Sequence, residues 1–197
     1  MALTITIVIG IIFAMLGIRK TFYPMWALLF NILLAIYLSV MLMALFIDKV
    51  KILTPFAGSY SYALCLLSMA AVVFVVVQLL TFRFLTAVYC VSFPELLNNV
   101  GAAIVGFLAG FAVANFIIFL IAITPISDNP SLKFSKDVQS SGSVNSYVIS
   151  TCNIINKLSL QCDEDAPQEA VERIIEHRNR SLESSIVVDA NMFEPDE

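Results

Sequence analysis

The stretch NNVGAAIVGFLAGFAVANF, residues 98–116, carries no charge yet mixes glycine, alanine and asparagine with large apolar side chains. Phased as an α-helix at about 100° per residue, Asn98, Ala102, Gly106, Gly110 and Ala114 fall on one stripe. Gly106-x-x-x-Gly110 lies at its middle, a spacing that lets a neighbouring backbone approach closely in a membrane. Asn115 sits about 180° from Gly106, so the helix has a groove-like front and an amide at its back. Contact on both sides predicts a central helix or an oligomer contact.

Working outward, Met1–Ile18, Thr21–Ile47 and Ile52–Phe82 are equally free of charged side chains, and the opening stretch belongs to a fourth such run, Leu96–Ser127. A helix needs about 20 apolar residues to cross a hydrocarbon core of about 30 Å. The first 126 residues hold only Arg19, Lys20, Asp48, Lys49, Lys51, Arg83 and Glu95 as charges, too few to give soluble helices their polar faces. The expected fold is an all-α membrane protein, a four-transmembrane-helix bundle with spans near residues 3–18, 22–47, 58–82 and 98–123.

Small residues recur in each span. Thr6, Gly10, Ala14 and Gly17 share a face of the first, Ala27, Asn31, Ala35 and Ser39 of the second, and Ser61, Cys65, Ser68 and Ala71 of the third. Lipid tails are as apolar as leucine, so spans associate through such seams and through interhelical hydrogen bonds. Before the last span, RFLTAVYCVSFPELLNN is apolar but broken by Pro94, and predicts a short re-entrant or interfacial segment. Ser92 and Glu95 have the spacing of a capping box at the start of the helix that follows.

Charge divides the chain. Residues 1–126 contain five basic and two acidic side chains, whereas 127–197 contain six basic and thirteen acidic ones. The acidic part has no Lys/Arg cluster, which leaves no footprint for nucleic acid. Ser-rich 127–146 reads as a linker, 147–180 as a small helical extramembrane region with an apolar stripe of Ala170, Val171, Ile174 and Ile175, and 181–197 as an acidic disordered tail. That region is too small to bury a core alone and must lean on the membrane face, on another copy or on a partner. Arg19 and Lys20 follow the first span and favour a cytoplasmic first loop, which puts both termini outside. Cys152 and Cys162, the only cysteines of the tail, suit a disulfide in an oxidising compartment, with two free thiols as the alternative.

No span carries an ionisable group at its centre, which disfavours proton relays, voltage sensing and ion-coupled pumping. The intramembrane polar side chains Asn31, Gln78 and Asn115 are neutral, and predict either interhelical hydrogen bonds or, in a transport or channel assembly, a polar path. The chain has no phosphate loop and no nucleophile elbow, and the lone His177 sits among charges in ERIIEHRNR, so no enzyme, cofactor or metal site is expected.

Gly17-Ile18-Arg19-Lys20-Thr21-Phe22 is similar to the Gly-x-Arg-x-Gly-Phe first loop of the colicin V production protein family, with Thr21 in place of the second glycine. The ladder Ala102, Gly106, Gly110 is similar to the spacing-four glycines of that family's last span, with Ala109 where a basic residue is common. The chain thus resembles a divergent member over residues 1 to about 150. The resemblance implies a bacterial inner-membrane protein with a periplasmic C-terminus, connected with envelope homeostasis and colicin export. It implies no catalytic residues. The function this predicts is that of a non-enzymatic structural or accessory subunit in a lipid bilayer, packed into a homo-oligomer or against another membrane or periplasmic protein.

Overall fold

The computed structural model describes residues 2–50, 60–86, 94–124, 142–158 and 165–192, and among these it is helical throughout, with no strand. Six helices follow one another: α1 Ala2–Arg19, α2 Phe22–Val50, α3 Ser61–Thr81, α4 Ala102–Ile123, α5 Gly142–Leu158 and α6 Ala166–Met192. π turns at Phe82–Thr86 and Leu97–Gly101 extend the end of α3 and the start of α4. The segment expected to re-enter or lie in the interface falls largely outside the described residues, as does Ser92.

Three helices are long and apolar enough to cross a membrane: Phe22–Ile47, Ser61–Phe84 and Asn98–Ile123. α1 is a shorter apolar helix, Thr4–Arg19. The surface agrees with that solvent. Ile5, Val8, Ile12 and Met15 of α1 and Leu64, Val72, Val75 and Leu79 of α3 are all exposed, an apolar area far larger than soluble monomers tolerate.

α4 and α2 form the centre. α4 is buried on nearly every side, including Ala102, Val105, Ala109, Ala112, Phe116 and Phe119, because its small side chains admit neighbours all round. α2 buries Met25, Leu29, Ile32, Ile36, Val40, Met43 and Ile47, a repeat of threes and fours that faces one seam of neighbours. α1 packs on α4 and on the π turn before it, whereas α3 packs mainly on α2. α1 and α3 therefore stand apart, each held by the central pair and not by the other.

The tail does not form a unit of its own. α5 and α6 pack on α2, and α5 also packs on α4, joined to the main core through Val148, Cys152, Ala170, Val171 and Ile174. The Tyr37 hydroxyl donates to Asn156 Oδ1 at 3.3 Å, and Tyr147 meets Phe111 edge-on with ring centroids 5.7 Å apart. The tail's apolar stripe on α6 is thus covered within the chain, by α2 and α5. Helix begins at Gly142, inside the stretch expected as linker, and α6 continues to Met192, into the 181–197 stretch expected as an acidic disordered tail. Residues 181–192 include Leu182, Glu183 and Ala190, good helix formers that net charge alone does not reveal.

Candidate functional site

α1 and α4 cross antiparallel with their backbones in close approach. A methyl group added at Gly106 would lie 2.5 Å from the Phe13 carbonyl oxygen and 3.3 Å from the Ala14 Cα. One added at Gly110 would meet Phe13 Cβ at 2.7 Å and the Ile9 carbonyl oxygen at 2.9 Å, and one at Gly17 would collide with the Ala102 carbonyl oxygen. The stripe of small residues on α4 thus faces the stripe on α1, backbone against backbone. Gly10 differs, since its neighbour is the Phe107 ring, at 2.7 Å from such a methyl group. Ala14 is half-buried and Ala114 is buried. What small-residue spacing did not reveal is that Phe13, a large residue, supplies the contacted backbone.

The first loop locks onto the same region. The Phe22 N–H, at the start of α2, donates to Asn98 Oδ1 at 2.8 Å, so a side chain from the start of α4 caps another helix. The Phe22 ring fills the space beside Gly101, where a methyl group would be 2.8 Å from it. Gly17 and Phe22 of the first loop and the Ala102, Gly106, Gly110 ladder, distant in sequence, form one contact region.

The intramembrane amides divide into two places. Asn31 Nδ2 donates to Gln78 Oε1 at 2.9 Å, and Thr81 Oγ1 donates to Asn31 Oδ1 at 3.0 Å. This cluster ties α2 to α3. Asn115, by contrast, donates from Nδ2 to the Phe111 carbonyl oxygen of its own helix at 2.8 Å, and is buried. Asn31 is held by Gln78 and Thr81, and Asn115 belongs to another helix. Such interhelical bonds contribute about 0.6 kcal/mol on average and at most about 1.7 in membranes, so Asn31→Leu is expected to lower stability by about 1 kcal/mol. Titration with a denaturing detergent, followed by circular dichroism, would measure it, and an unmoved midpoint would show that the cluster contributes nothing.

Along α2, Ala35 is buried beside Asn31 and Ser39, while Ala27 is half-buried. The third seam is packed only at its start: Ser61 is buried and Cys65 half-buried, whereas Ser68 and Ala71 are exposed, and α3 also buries Tyr62, Ala63, Leu66 and Ala70. Its sequence is apolar all round, so periodicity could not choose the face.

Cys152 has a free thiol, fully buried and within electrostatic range of the Tyr37 hydroxyl. Burial pushes this thiol up to about 12. Cys162, and with it the pairing expected with Cys152, lies outside the described residues. On the outer face of α6, Arg180 and Glu176 form an exposed ion pair one turn apart, which holds the Glu176 carboxyl below its usual range. His177 is half-buried beside them. Among the described residues, no group of three His, Cys, Asp or Glu side chains gathers where a metal ion could sit.

Between α1 and α3 runs a partly open cavity of about 290 Å³. Its floor is α2 and α4, with Leu28, Ile32 and Phe116, and its walls are Phe13 of α1 and Ala70 and Phe74 of α3. No polar surface lines it.

No protein-family model, no curated protein and no solved structure matches this chain.

Proposed function

We propose that this chain is a non-enzymatic inner-membrane protein, crossing four times with both termini on the periplasmic side, that acts as a structural or accessory subunit of an envelope complex or homo-oligomer. In this reading α1 is the shortest of the four spans, and the tail helices dock on their own membrane domain. The observation that carries it is the imbalance between the helices. Only 17% of the apolar window of α3 is buried, against 56% of that of α4. α3 turns outward a face that alternates large side chains such as Leu64 and Val72 with the small Ser68 and Ala71, suited to lipid and to close approach by another helix.

The internal polar groups add support, since Asn31 and Gln78 bond to each other between α2 and α3. Envelope homeostasis and colicin export enter this reading through the resemblance of the first loop and glycine ladder, two motifs that meet in space at Gly17 and Ala102.

Oxidative cross-linking in native membranes, with a single cysteine placed by Ser68→Cys or Ala71→Cys, tests the proposal. A cross-linked adduct, either a dimer or a product with another membrane protein that co-purifies in mild detergent, is expected. Monomer from both variants, with the wild-type chain also running alone on native electrophoresis, would overturn it.

A further inference from the structure

We propose that the cavity between α1 and α3 is a binding site for one acyl chain of an anionic phospholipid, whose headgroup is held at the end of the bundle that carries Arg19, Lys20 and Arg83. The inference rests on α1–α4 lying in a bilayer, and it adds a ligand and a polarity to that reading.

The chemistry of the lining is that of a hydrocarbon chain. A polar ligand entering this space would lose its water contacts and meet no hydrogen-bond partner, a cost of several kcal/mol per group. The volume, about 290 Å³, lies at the lower end of ligand pockets, suited to a single chain and too small for a compact polycyclic ligand with its own polar edge. The cavity also has an exit in the right direction. α1 and α3 flank it without packing on each other, so its side opens where lipid lies.

Helix direction supplies the polarity. Gly17 meets Ala102 and Phe22 meets Asn98, so the end of α1 and the starts of α2 and α4 share one end of the bundle. Asn31, in the first part of α2, bonds to Gln78 and Thr81 at the close of α3, which sends Arg83 toward the same end. Phe13 in the cavity wall is six residues before Arg19, a rise of about 9 Å. Arg19, Lys20 and Arg83 therefore all lie toward this end of the bundle, and all three are exposed. Their acidic counterpart at this end is Glu95, also exposed. A phosphate-bearing headgroup above an apolar slot matches this layout, since basic side chains near the membrane surface attract anionic lipid.

The test is photolabelling of the full chain reconstituted in phosphatidylcholine vesicles, with phosphatidylglycerol bearing a diazirine near the middle of one acyl chain as the probe. Mapping of adducts should find them on Phe13, Phe74 or Phe116 beyond the general labelling of outward residues such as Val72. Unlabelled phosphatidylglycerol should compete several-fold better than phosphatidylcholine, and Arg19→Gln with Lys20→Gln and Arg83→Gln should abolish that preference. Ala70→Trp, which fills the slot, should remove the cavity adducts while those on Val72 remain.

Adducts on outward residues with none in the cavity would overturn the lipid site while leaving the membrane reading intact. The absence of adducts anywhere would remove the membrane reading itself. Equal competition by the two lipids overturns the headgroup assignment on the wild-type chain, with no variant needed. Cavity protection that appears only in cross-linked dimers would identify a second copy as the occupant instead.

Discussion

Gly106→Leu is expected to separate α1 from α4 and to cost far more stability than a methyl group added at Gly106 or Gly10. A methyl group alone would stand 2.5 Å from the Phe13 carbonyl oxygen, and the Ala14 Cα behind it is also backbone, so no side chain can swing clear. Overpacking in a close-packed interior costs about 1–3 kcal/mol, and a branched side chain against two backbones belongs at or above the top of that range. Gly106→Ala should fall within it. Gly10→Ala is the internal control, since the atoms it meets are the outer edge of the Phe107 ring, which can rotate. The ranking Gly106→Leu, then Gly106→Ala, then Gly10→Ala should appear in detergent-denaturation midpoints. Equal midpoints for Gly106→Ala and Gly10→Ala would show that the helices are farther apart than described.

The second large effect concerns the tail. In a variant retaining Cys152 as its one cysteine, maleimide labelling at pH 8 should run about a thousandfold slower in the folded protein than in the denatured chain. The thiolate is the reactive form, and with the thiol at about 12 its fraction at pH 8 is about 10⁻⁴, against about 10⁻¹ for an ordinary cysteine. Rapid labelling of the folded protein would mean that α5 is not seated on α2. The same burial sets a pH dependence. Below the ordinary value of 9.0 the thiol is protonated whether folded or unfolded, and stability does not vary with it. Between 9.0 and about 12 the unfolded chain releases this proton and the folded one keeps it, so stability falls by about 1.4 kcal/mol per pH unit. Cys152→Ala should flatten that decline.

Sequence made the helices legible because apolar run length is a property of the chain alone. Spacing at Gly106 and Gly110 likewise located a close contact, yet it could not name the other side. Residues 98–116 look the same whether their partner is a second copy or α1, and the answer depends on Phe13, whose bulk hides its exposed carbonyl from any search for small residues. The amides show the same limit. Asn31 and Gln78 are equivalent to Asn115 in hydropathy, but only the first two find each other, because α2 and α3 run antiparallel at the right height. The tail's stripe at Ala170, Val171 and Ile174 was readable as a surface needing cover, whereas the cover, α2, is itself apolar on every face and gives no sign of which side accepts it.

The packing of α1 on α4, and its lack of substantial contact with α2, also bears on the order of events during synthesis. α2 and α3 are consecutive and can pair as soon as both have entered the bilayer. α1 precedes both, yet the groove that receives Gly17 and Phe13 is made by Ala102, Gly106 and Gly110, which emerge from the ribosome far later. In the proposed four-span reading its small-residue face meets only lipid for all of that interval. In that reading α1, although it precedes α2 and α3 in the chain, is thus fixed in place after they can pair, when residues 98–123 arrive.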